Sequence, residues 1–335
     1  AMNSVSSVEW FAEVVRRVAT PTPSRTRVEA VQDETGDTRT LTLRPGRGWR
    51  GHRPGQHVRV TVAINGRLAT RTYSISSAPD ARCFTITVKA QGRVSTYLVR
   101  DVSVGSHLTI GAPEGDFVLP DDVPEKIAFI TAGSGITPIM SMLRTLAARG
   151  ELADVVHVHY ARGEVIFGDE LRALAASHPG YRLAIVDTRE DRRRFSAMRL
   201  AEWVPDWRER ETWACGPQGL MDSIERCFDG VGTLHVERFT AALAPIPANE
   251  HGGTVRFKSS RTERTSDGRT PLLRIAEDAG VSAPHGCRMG ICHTCDATLL
   301  SGRVRDLRTG ETITEPGARV QVCVCSAAGD VELAL

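Results

Sequence analysis

Short stretches of alternating apolar and polar residues fill the first third of the chain, between turns rich in Gly and Pro. They include residues 39–43, 57–62 and 84–88. A period of two is typical of strands that bury one face, and regular short strands between turns are typical of barrels and sandwiches. We therefore predict an antiparallel β-barrel over residues 26–122.

The pattern changes at Lys126, where apolar strands begin to alternate with helical stretches. This alternation predicts a parallel-sheet α/β domain, here over residues 123–240. Residues 241–251, rich in Ala and Pro, have the composition of a linker. A chain of 335 residues is long for one hydrophobic core, so residues 252–335 are assigned to a third domain.

Residues 1–25 precede the barrel and carry apolar side chains at helical spacing. Val8, Phe11, Val15 and Val18 lie on one face of this predicted amphipathic helix. The helix either packs against the body of the protein or contacts a membrane or a membrane-bound partner.

Charge and hydropathy exclude two classes of protein. The formal net charge is +2, from 42 Lys and Arg against 40 Asp and Glu, whereas a nucleic-acid-binding surface needs a concentrated basic face. The sequence contains no run of about eighteen apolar residues, so we predict no transmembrane helix. With no secretory segment recognised, we expect a cytoplasmic protein, peripheral to the membrane only through its partner.

Cysteines near the C-terminus carry the first chemical signal. Cys287, Cys292 and Cys295 have the C-x4-C-x2-C spacing that holds a plant-type 2Fe-2S cluster. Gly286 and Gly290 allow the loop to curl around the metal. Zinc sites more often use paired C-x2-C units, and a reducing compartment disfavours disulfides, so an iron-sulfur cluster is the favoured prediction.

The fourth cluster ligand is Cys323 or Cys325, which alternate along a predicted strand and can therefore share one face. The segment 323–331 resembles the ferredoxin segment in which a ligand cysteine precedes an Asp by seven residues. With Asp330 in that place, the resemblance selects Cys323. It also implies that residues 252–335 form an α+β ferredoxin-like (β-grasp) domain.

In the barrel, the sequence Arg71-Thr72-Tyr73-Ser74 ends an alternating stretch. Its arginine can hold a phosphate, its tyrosine offers an aromatic face and its serine is a small donor. Downstream, Gly92-Arg93-Val94-Ser95 opens a predicted helix with Ser95 as N-cap, a natural position for a pyrophosphate. The candidate binding residues for a ligand with a phosphate and an aromatic ring are Arg71, Thr72, Tyr73, Ser74, Gly92, Val94 and Ser95.

In the α/β domain, a strand runs into Gly133-Ser134-Gly135-Ile136-Thr137-Pro138. The glycines let the backbone approach a pyrophosphate, and the proline suits the first turn of a helix. The third glycine of the usual dinucleotide fingerprint is absent. At the end of the next strand, Arg162 favours the 2′-phosphate of NADPH over NADH, although Glu164 nearby weakens that choice.

Two further candidates lie towards the end of this domain. Cys215-Gly216-Pro217 follows a predicted strand, and Phe239 closes the domain. A lone cysteine in such a place is otherwise an inert core residue.

Over residues 27–335, these motifs in this order resemble the ferredoxin–NADP reductase superfamily, in the class with a C-terminal 2Fe-2S domain. The resemblance implies that Tyr73 stacks on the isoalloxazine, that Ser74 reaches flavin N5, and that Cys215 faces the nicotinamide. It also implies that the loop ending at Thr137 lies near the nicotinamide and Phe239 near the flavin. The segment 92–98 resembles FAD-type members more than FMN-type ones.

The resemblance implies electron flow from NADPH through FAD and the cluster to a partner iron enzyme that activates oxygen. Segments 40–45, 115–120, 133–144 and 159–162 most resemble reductases of acyl-CoA (stearoyl-CoA) desaturases. The alternative is an NADH-dependent reductase of a ring-hydroxylating, steroid or cytochrome P450 oxygenase. A third hypothesis, from another class, is an iron-sulfur redox sensor or binding module without turnover.

Overall fold

A computed structural model describes residues 24–79, 82–191, 193, 195–239, 246, 251–285, 288–290 and 293–335. The predicted N-terminal helix and most of the predicted linker lie outside these residues. The chain divides into two compact units: Ala1–Cys215 with Ser223–Val236, and Gly216–Asp222 with Glu237–Leu335. None of the described helices is long and apolar enough to cross a membrane.

The first sheet is antiparallel and has the strand order β4-β3-β6-β1-β2-β5. Ile75, just after β4, forms a bridge with Ile86 of β5, and the Ser76 N–H donates to the Thr85 carbonyl at 2.8 Å. The two edges of the sheet therefore meet, which confirms the antiparallel barrel. Its elements are β1 Ser24–Thr35, β2 Thr38–Arg44, β3 His57–Ile64, β4 Arg67–Ser74, β5 Phe84–Lys89, α1 Arg93–Arg100 and β6 His107–Ile110.

Alternation decides which side chains fill the barrel. In β3, Val58, Val60 and Val62 are buried while Arg59 and Thr61 between them are partly exposed. Side chains of successive strand residues point to opposite faces, so the valines join the core that α1 covers with Val94 and Leu98.

The second sheet has the order β11-β10-β7-β8-β9, with parallel pairing between β10, β7, β8 and β9. All six residues of β7 are buried, as expected for a strand covered on both faces. The predicted parallel α/β domain is confirmed. Its elements are β7 Ile127–Ala132, α2 Ile136–Arg149, β8 Val155–Ala161, α3 Gly168–Ser177, β9 Tyr181–Asp187, α4 Ala197–Trp203, β10 Glu211–Cys215, α5 Gln218–Phe228 and β11 Thr233–Glu237.

The order of this sheet reverses at β7. From β7 the chain moves to β8 and β9 on one side and then returns to β10 on the other. Ligands of open α/β sheets bind at the carboxyl edge where the order reverses. This point lies between the ends of β7 and β10, at Thr131 and Cys215, which are register partners.

The third sheet is mixed, with the order β13-β12-β17-β14-β15 and with β16 paired to β14. Strand β12 runs parallel to β17, and β14 runs antiparallel to it. Helix α6 contributes Leu272, Leu273 and Ile275 to the core of this sheet. This arrangement confirms the ferredoxin-like α+β prediction. The elements are β12 Thr254–Phe257, β13 Thr262–Thr265, α6 Leu272–Asp278, β14 Asp296–Asp306, β15 Thr312–Ile313, β16 Arg319–Gln321 and β17 Cys325–Leu333.

Candidate redox cofactor sites

The predicted flavin strand occupies the second half of β4. Tyr73 lies opposite Val58 and Ser74 opposite His57 in the pairing with β3. Ser74 is buried and Tyr73 is half-buried against the barrel core. Burial raises the pKa of the Tyr73 phenol, despite the opposing charge of Arg71. The side chain is therefore neutral at physiological pH and offers an uncharged aromatic face.

A buried polar atom in this strand points to a missing partner. The Thr72 hydroxyl is buried and has no hydrogen-bond partner in the described structure. Buried hydroxyls without partners are costly, so a bound group with polar atoms fits here. The orphaned hydroxyl shows that β4 can accept a polar ligand. Thr72 and Tyr73 are consecutive and therefore lie on opposite faces of the strand, and the phosphate contact of Arg71 stays a prediction.

The N-cap of the helix that follows lies three residues earlier than predicted. Gly92, not Ser95, is the N-cap of α1, and Ser95 lies in its first turn. Its hydroxyl accepts hydrogen bonds from the N–H groups of Gln91 and Gly92, each at 3.0 Å. The first-turn N–H groups of Arg93, Val94 and Ser95 lack acceptors within the helix. They are suitable donors for the pyrophosphate of FAD.

The dinucleotide loop is a single 3₁₀ turn, Gly133–Gly135, between β7 and α2. Gly133 has φ +53°, a conformation that glycine adopts without strain. The Thr137 hydroxyl donates to the Ser134 carbonyl at 3.0 Å, and Pro138 lies in the first turn of α2 as predicted. A side chain in the first turn of α2 thus stabilises the loop that precedes this helix.

Cys215 ends β10 beside this loop and is fully buried in the core of the α/β domain. Gly216 and Pro217 follow, and the Pro217 carbonyl accepts from the N–H groups of Leu220 and Met221 at 3.0 and 3.1 Å. The contact of the thiol with the nicotinamide stays a prediction. So does the flavin contact of Phe239, which belongs to the second compact unit.

A buried polar chain that was not predicted from the sequence lies behind the loop. The Thr131 hydroxyl lies 2.7 Å from His157 Nε2 and 2.7 Å from His159 Nδ1, and His157 Nδ1 lies 2.9 Å from the Tyr181 hydroxyl. Two histidines two residues apart in an otherwise apolar strand were the available signal. Because Thr131 has one hydroxyl proton, it donates to one histidine and accepts from the other.

Burial keeps both rings neutral. It lowers the pKa of His157, with the charge of His159 acting in the same direction, and lowers that of His159 to about 4. The His159 Nε2 atom is buried without a partner among the described residues. Proton binding to these rings therefore opposes folding.

At the end of β8, Arg162 is exposed and forms no hydrogen bond or ion pair with the residues that the structure describes. Glu164 instead accepts the N–H of Gly36 at 3.1 Å. Arg189 is held by Asp187, with its Nη2 at 2.6 Å from the carboxylate. Of these groups, Arg162 is the cation available to a ligand.

The cluster loop has an unusual backbone. Arg288, Gly290 and His293 have φ angles of +61°, +72° and +53°. A Cβ on Gly290 would lie 2.5 Å from Arg308 Nη1, so this glycine meets both a conformational and a spatial requirement. The role predicted for Gly290 agrees with this backbone, and Gly286 lies outside the described residues.

Two arginines hold the loop in place. Arg308 Nη1 donates to the Gly290 carbonyl at 2.7 Å, while its Nη2 pairs with Asp306 at 2.6 Å. Arg288 forms an ion pair with Glu277 at the end of α6. Because the Gly290 carbonyl is taken by Arg308, these contacts hold the backbone of the loop in place and fit a loop that wraps a cluster held by cysteines.

Of the predicted cluster ligands, Cys295 and Cys323 are described and buried, and Cys287 and Cys292 lie outside the described residues. The prediction that Cys323 and Cys325 share one strand was wrong. Strand β16 ends at Gln321 and β17 begins at Cys325, so Cys323 lies in the turn between them. Cys325 instead pairs with Asp306 in the sheet. The turn position favours Cys323 as the ligand.

Three domain families match the chain in the order that the sheets suggest. They are an oxidoreductase FAD-binding domain over residues 25–119, an oxidoreductase NAD-binding domain over residues 129–226, and a 2Fe-2S iron-sulfur cluster binding domain over residues 256–328. An NADPH oxidoreductase of Mycobacterium tuberculosis is 48% identical over 322 residues, covering 92% of this chain and 83% of the relative.

The chain belongs to the ferredoxin–NADP reductase superfamily. Within it, a glycine betaine monooxygenase reductase subunit of Chromohalobacter salexigens is 31% identical, covering 82% of this chain and 84% of the relative. The solved structure of phthalate dioxygenase reductase matches with a TM-score of 0.66 and 25% identity, over 95% of this chain and 100% of that one. The present protein is thus a reductase with an FAD-binding, an NAD-binding and a 2Fe-2S domain.

We predict that Cys323→Ser abolishes cluster binding while Cys325→Ser retains it, because Cys323 lies in the turn and Cys325 in the sheet. Iron and sulfide content and visible absorption of the purified proteins provide the measurement. Flavin content serves as the internal control and should be unchanged in both variants. The reverse result would assign the ligand to Cys325.

We also predict that the α/β domain loses stability as pH falls from about 6.5 towards 4. In this range His159 binds a proton in the unfolded chain but stays neutral in the folded protein. This difference lowers the free energy of unfolding by up to about 3 kcal/mol. Thermal unfolding between pH 4 and 8 should show a shallower pH dependence for His159→Gln. The control His178→Gln, at the end of α3, should follow the wild type; equal slopes in all three proteins would contradict the prediction.

Proposed function

We propose that this reductase passes electrons from NADPH through FAD and its 2Fe-2S cluster to a separate iron enzyme that activates oxygen. The observation that carries the proposal is the combination of flavin, nucleotide and cluster domains in one chain. When bound, FAD takes a hydride from the nicotinamide and releases the two electrons singly, as a one-electron cluster requires.

The protein's own residues bind and orient these groups. Tyr73 supplies the uncharged aromatic face, Ser74 a small buried donor, and the first turn of α1 the N–H groups for the pyrophosphate. The loop Gly133–Gly135 lets the nucleotide approach the backbone, and Cys215 lies at the same point of the sheet. These residue roles are part of the proposal.

Three observations support NADPH over NADH. Arg162 is exposed and available at the end of β8, where a 2′-phosphate would be bound. Glu164, the nearby acidic residue that would favour NADH, accepts a hydrogen bond from the Gly36 N–H instead. The Mycobacterium tuberculosis relative is named an NADPH oxidoreductase.

For the acceptor, the relatives favour an oxygenase. The glycine betaine and phthalate proteins are named as reductases of a monooxygenase and a dioxygenase, and neither name refers to a desaturase. We therefore propose a terminal oxygenase component as the electron acceptor, in place of the acyl-CoA desaturase expected from the sequence. Membrane association through the acceptor has no support from these relatives.

We predict that Arg162→Ala lowers kcat/KM for NADPH about 10- to 100-fold, because a charge-assisted hydrogen bond contributes about 1.5–3 kcal/mol. The value for NADH should change less than about threefold. The control Arg182→Ala removes an exposed arginine that pairs with Asp154 at 3.1 Å, at the opposite edge of the sheet. Equal losses with both nucleotides would contradict a 2′-phosphate contact.

Reconstitution tests the acceptor. The purified reductase is combined with NADPH and either terminal oxygenase components or a membrane-bound acyl-CoA desaturase, and the oxidised product is quantified. We expect product with an oxygenase component, and none when Cys323→Ser replaces the wild type, since that variant keeps its flavin. Product with the desaturase alone would reject the oxygenase assignment and restore the sequence-based prediction.

A further inference from the structure

Helix α2 connects the two cofactor domains through one of its faces. Thr137, Ser141 and Arg144 are spaced four and three residues apart, so their side chains lie on the same side of the helix. Thr137 braces the dinucleotide loop through the Ser134 carbonyl at 3.0 Å. The other two side chains contact the barrel.

Both barrel contacts are made to the backbone that follows the flavin strand. The Ser141 hydroxyl donates to the Ser77 carbonyl at 2.6 Å, and Arg144 Nη1 donates to the Ser76 carbonyl at 2.7 Å. These carbonyls lie two and three residues beyond Ser74. All of these residues belong to one compact unit.

The two donor side chains, Ser141 and Arg144, are also fixed by their surroundings within the α/β domain. Arg144 forms a two-point ion pair with Glu170, with distances of 2.8 and 2.6 Å, and its guanidinium lies 4.9 Å from the centre of the Phe167 ring. Its remaining nitrogen is thereby aimed at Ser76. Ser141 is fully buried, so its hydroxyl does not exchange this acceptor for water.

The barrel side is equally fixed. The Ser77 carbonyl accepts a second hydrogen bond from His52 Nε2 at 3.2 Å. A Cβ on Gly55 would lie 2.5 Å from the Met142 methyl group, so α2 also approaches the segment that leads into β3. The helix therefore packs against two parts of the barrel backbone, one before β3 and one after β4.

We propose that Ser141 and Arg144 are positioning residues for hydride transfer, because they fix the dinucleotide loop relative to the flavin strand. The inference rests on the proposed function for the identity of the two cofactors. Ser141 lies about 9 Å along a rigid helix from the loop at a rise of 1.5 Å per residue. A shift at these hydrogen bonds therefore moves the nicotinamide, and a misplacement of about 1 Å costs a reaction on the order of 100-fold in rate.

The test uses Ser141→Ala and Arg144→Lys in the full chain. Lysine keeps the charge but lacks the planar fork that serves Glu170 and Ser76 together. The matched controls are Ser177→Ala, whose hydroxyl donates within its own helix at 2.8 Å, and Arg149→Lys, which pairs with Glu151 at 3.7 Å near the far end of α2. Stopped-flow absorbance gives the limiting rate of flavin reduction, per bound flavin, and its dependence on NADPH concentration.

We expect each test variant to lower the limiting rate about tenfold, with the half-saturating NADPH concentration changed less than about threefold. The long-wavelength charge-transfer absorbance of the nicotinamide–flavin complex should weaken in parallel. In flavin-free protein, amide exchange at Ile75 and Ser76 should accelerate about tenfold, since the adjoining backbone loses its tie to α2. Both controls should match the wild type in all three measurements.

Each other outcome is decisive. A limiting rate within twofold of wild type, weaker NADPH binding with an unchanged limiting rate, or equal losses in the controls would overturn the positioning role. If Ser141→Ala fails to fold, Arg144→Lys decides alone. A wild-type protein that NADPH does not reduce would instead reject the proposed function. Amide exchange in the flavin-free protein would still test whether Ser141 and Arg144 hold the backbone at Ser76 and Ser77 against α2.

Discussion

Two backbone carbonyls, those of Ser76 and Ser77, connect the parts of this protein that must cooperate. They follow the end of the flavin strand, and they accept hydrogen bonds from the helix that begins at the dinucleotide loop. A buried carbonyl without a donor is costly, and α2 supplies a donor to each of the two carbonyls. These hydrogen bonds contribute to joining the barrel and the α/β domain, whose contacting residues belong to one compact unit.

In the cluster domain, the cysteine loop is stabilised by contacts within that domain. Its loop adopts left-handed backbone angles and is fixed from outside by Arg308 and Arg288, which are themselves anchored by carboxylates on β14 and α6. Every part of that brace belongs to the second unit.

Ion pairing also determines which charges are available for binding. Arg189 and Arg193 are paired with Asp187 and Asp191. Arg162 has no such partner among the described residues. Of these three arginines, Arg162 is the one without an ion-pair partner in the part of the chain that the structure describes.

The three domains could be predicted from the sequence, because strand alternation, buried apolar strands and cysteine spacing are local patterns. Such patterns also predicted the strand that holds Tyr73 and the loop at Gly133, and they selected Cys295 as a candidate ligand. Features that depend on register and on partners distant in the chain are visible only in the folded structure. There, Cys323 lies in a turn rather than in a strand, and Gly92 rather than Ser95 is the N-cap of α1. The fold also joins His157, Thr131 and His159 and gives Ser141 and Arg144 their acceptors. Hydrogen bonds across 64 and 68 residues leave no periodic trace in a sequence, since either side chain alone looks like an ordinary helix residue.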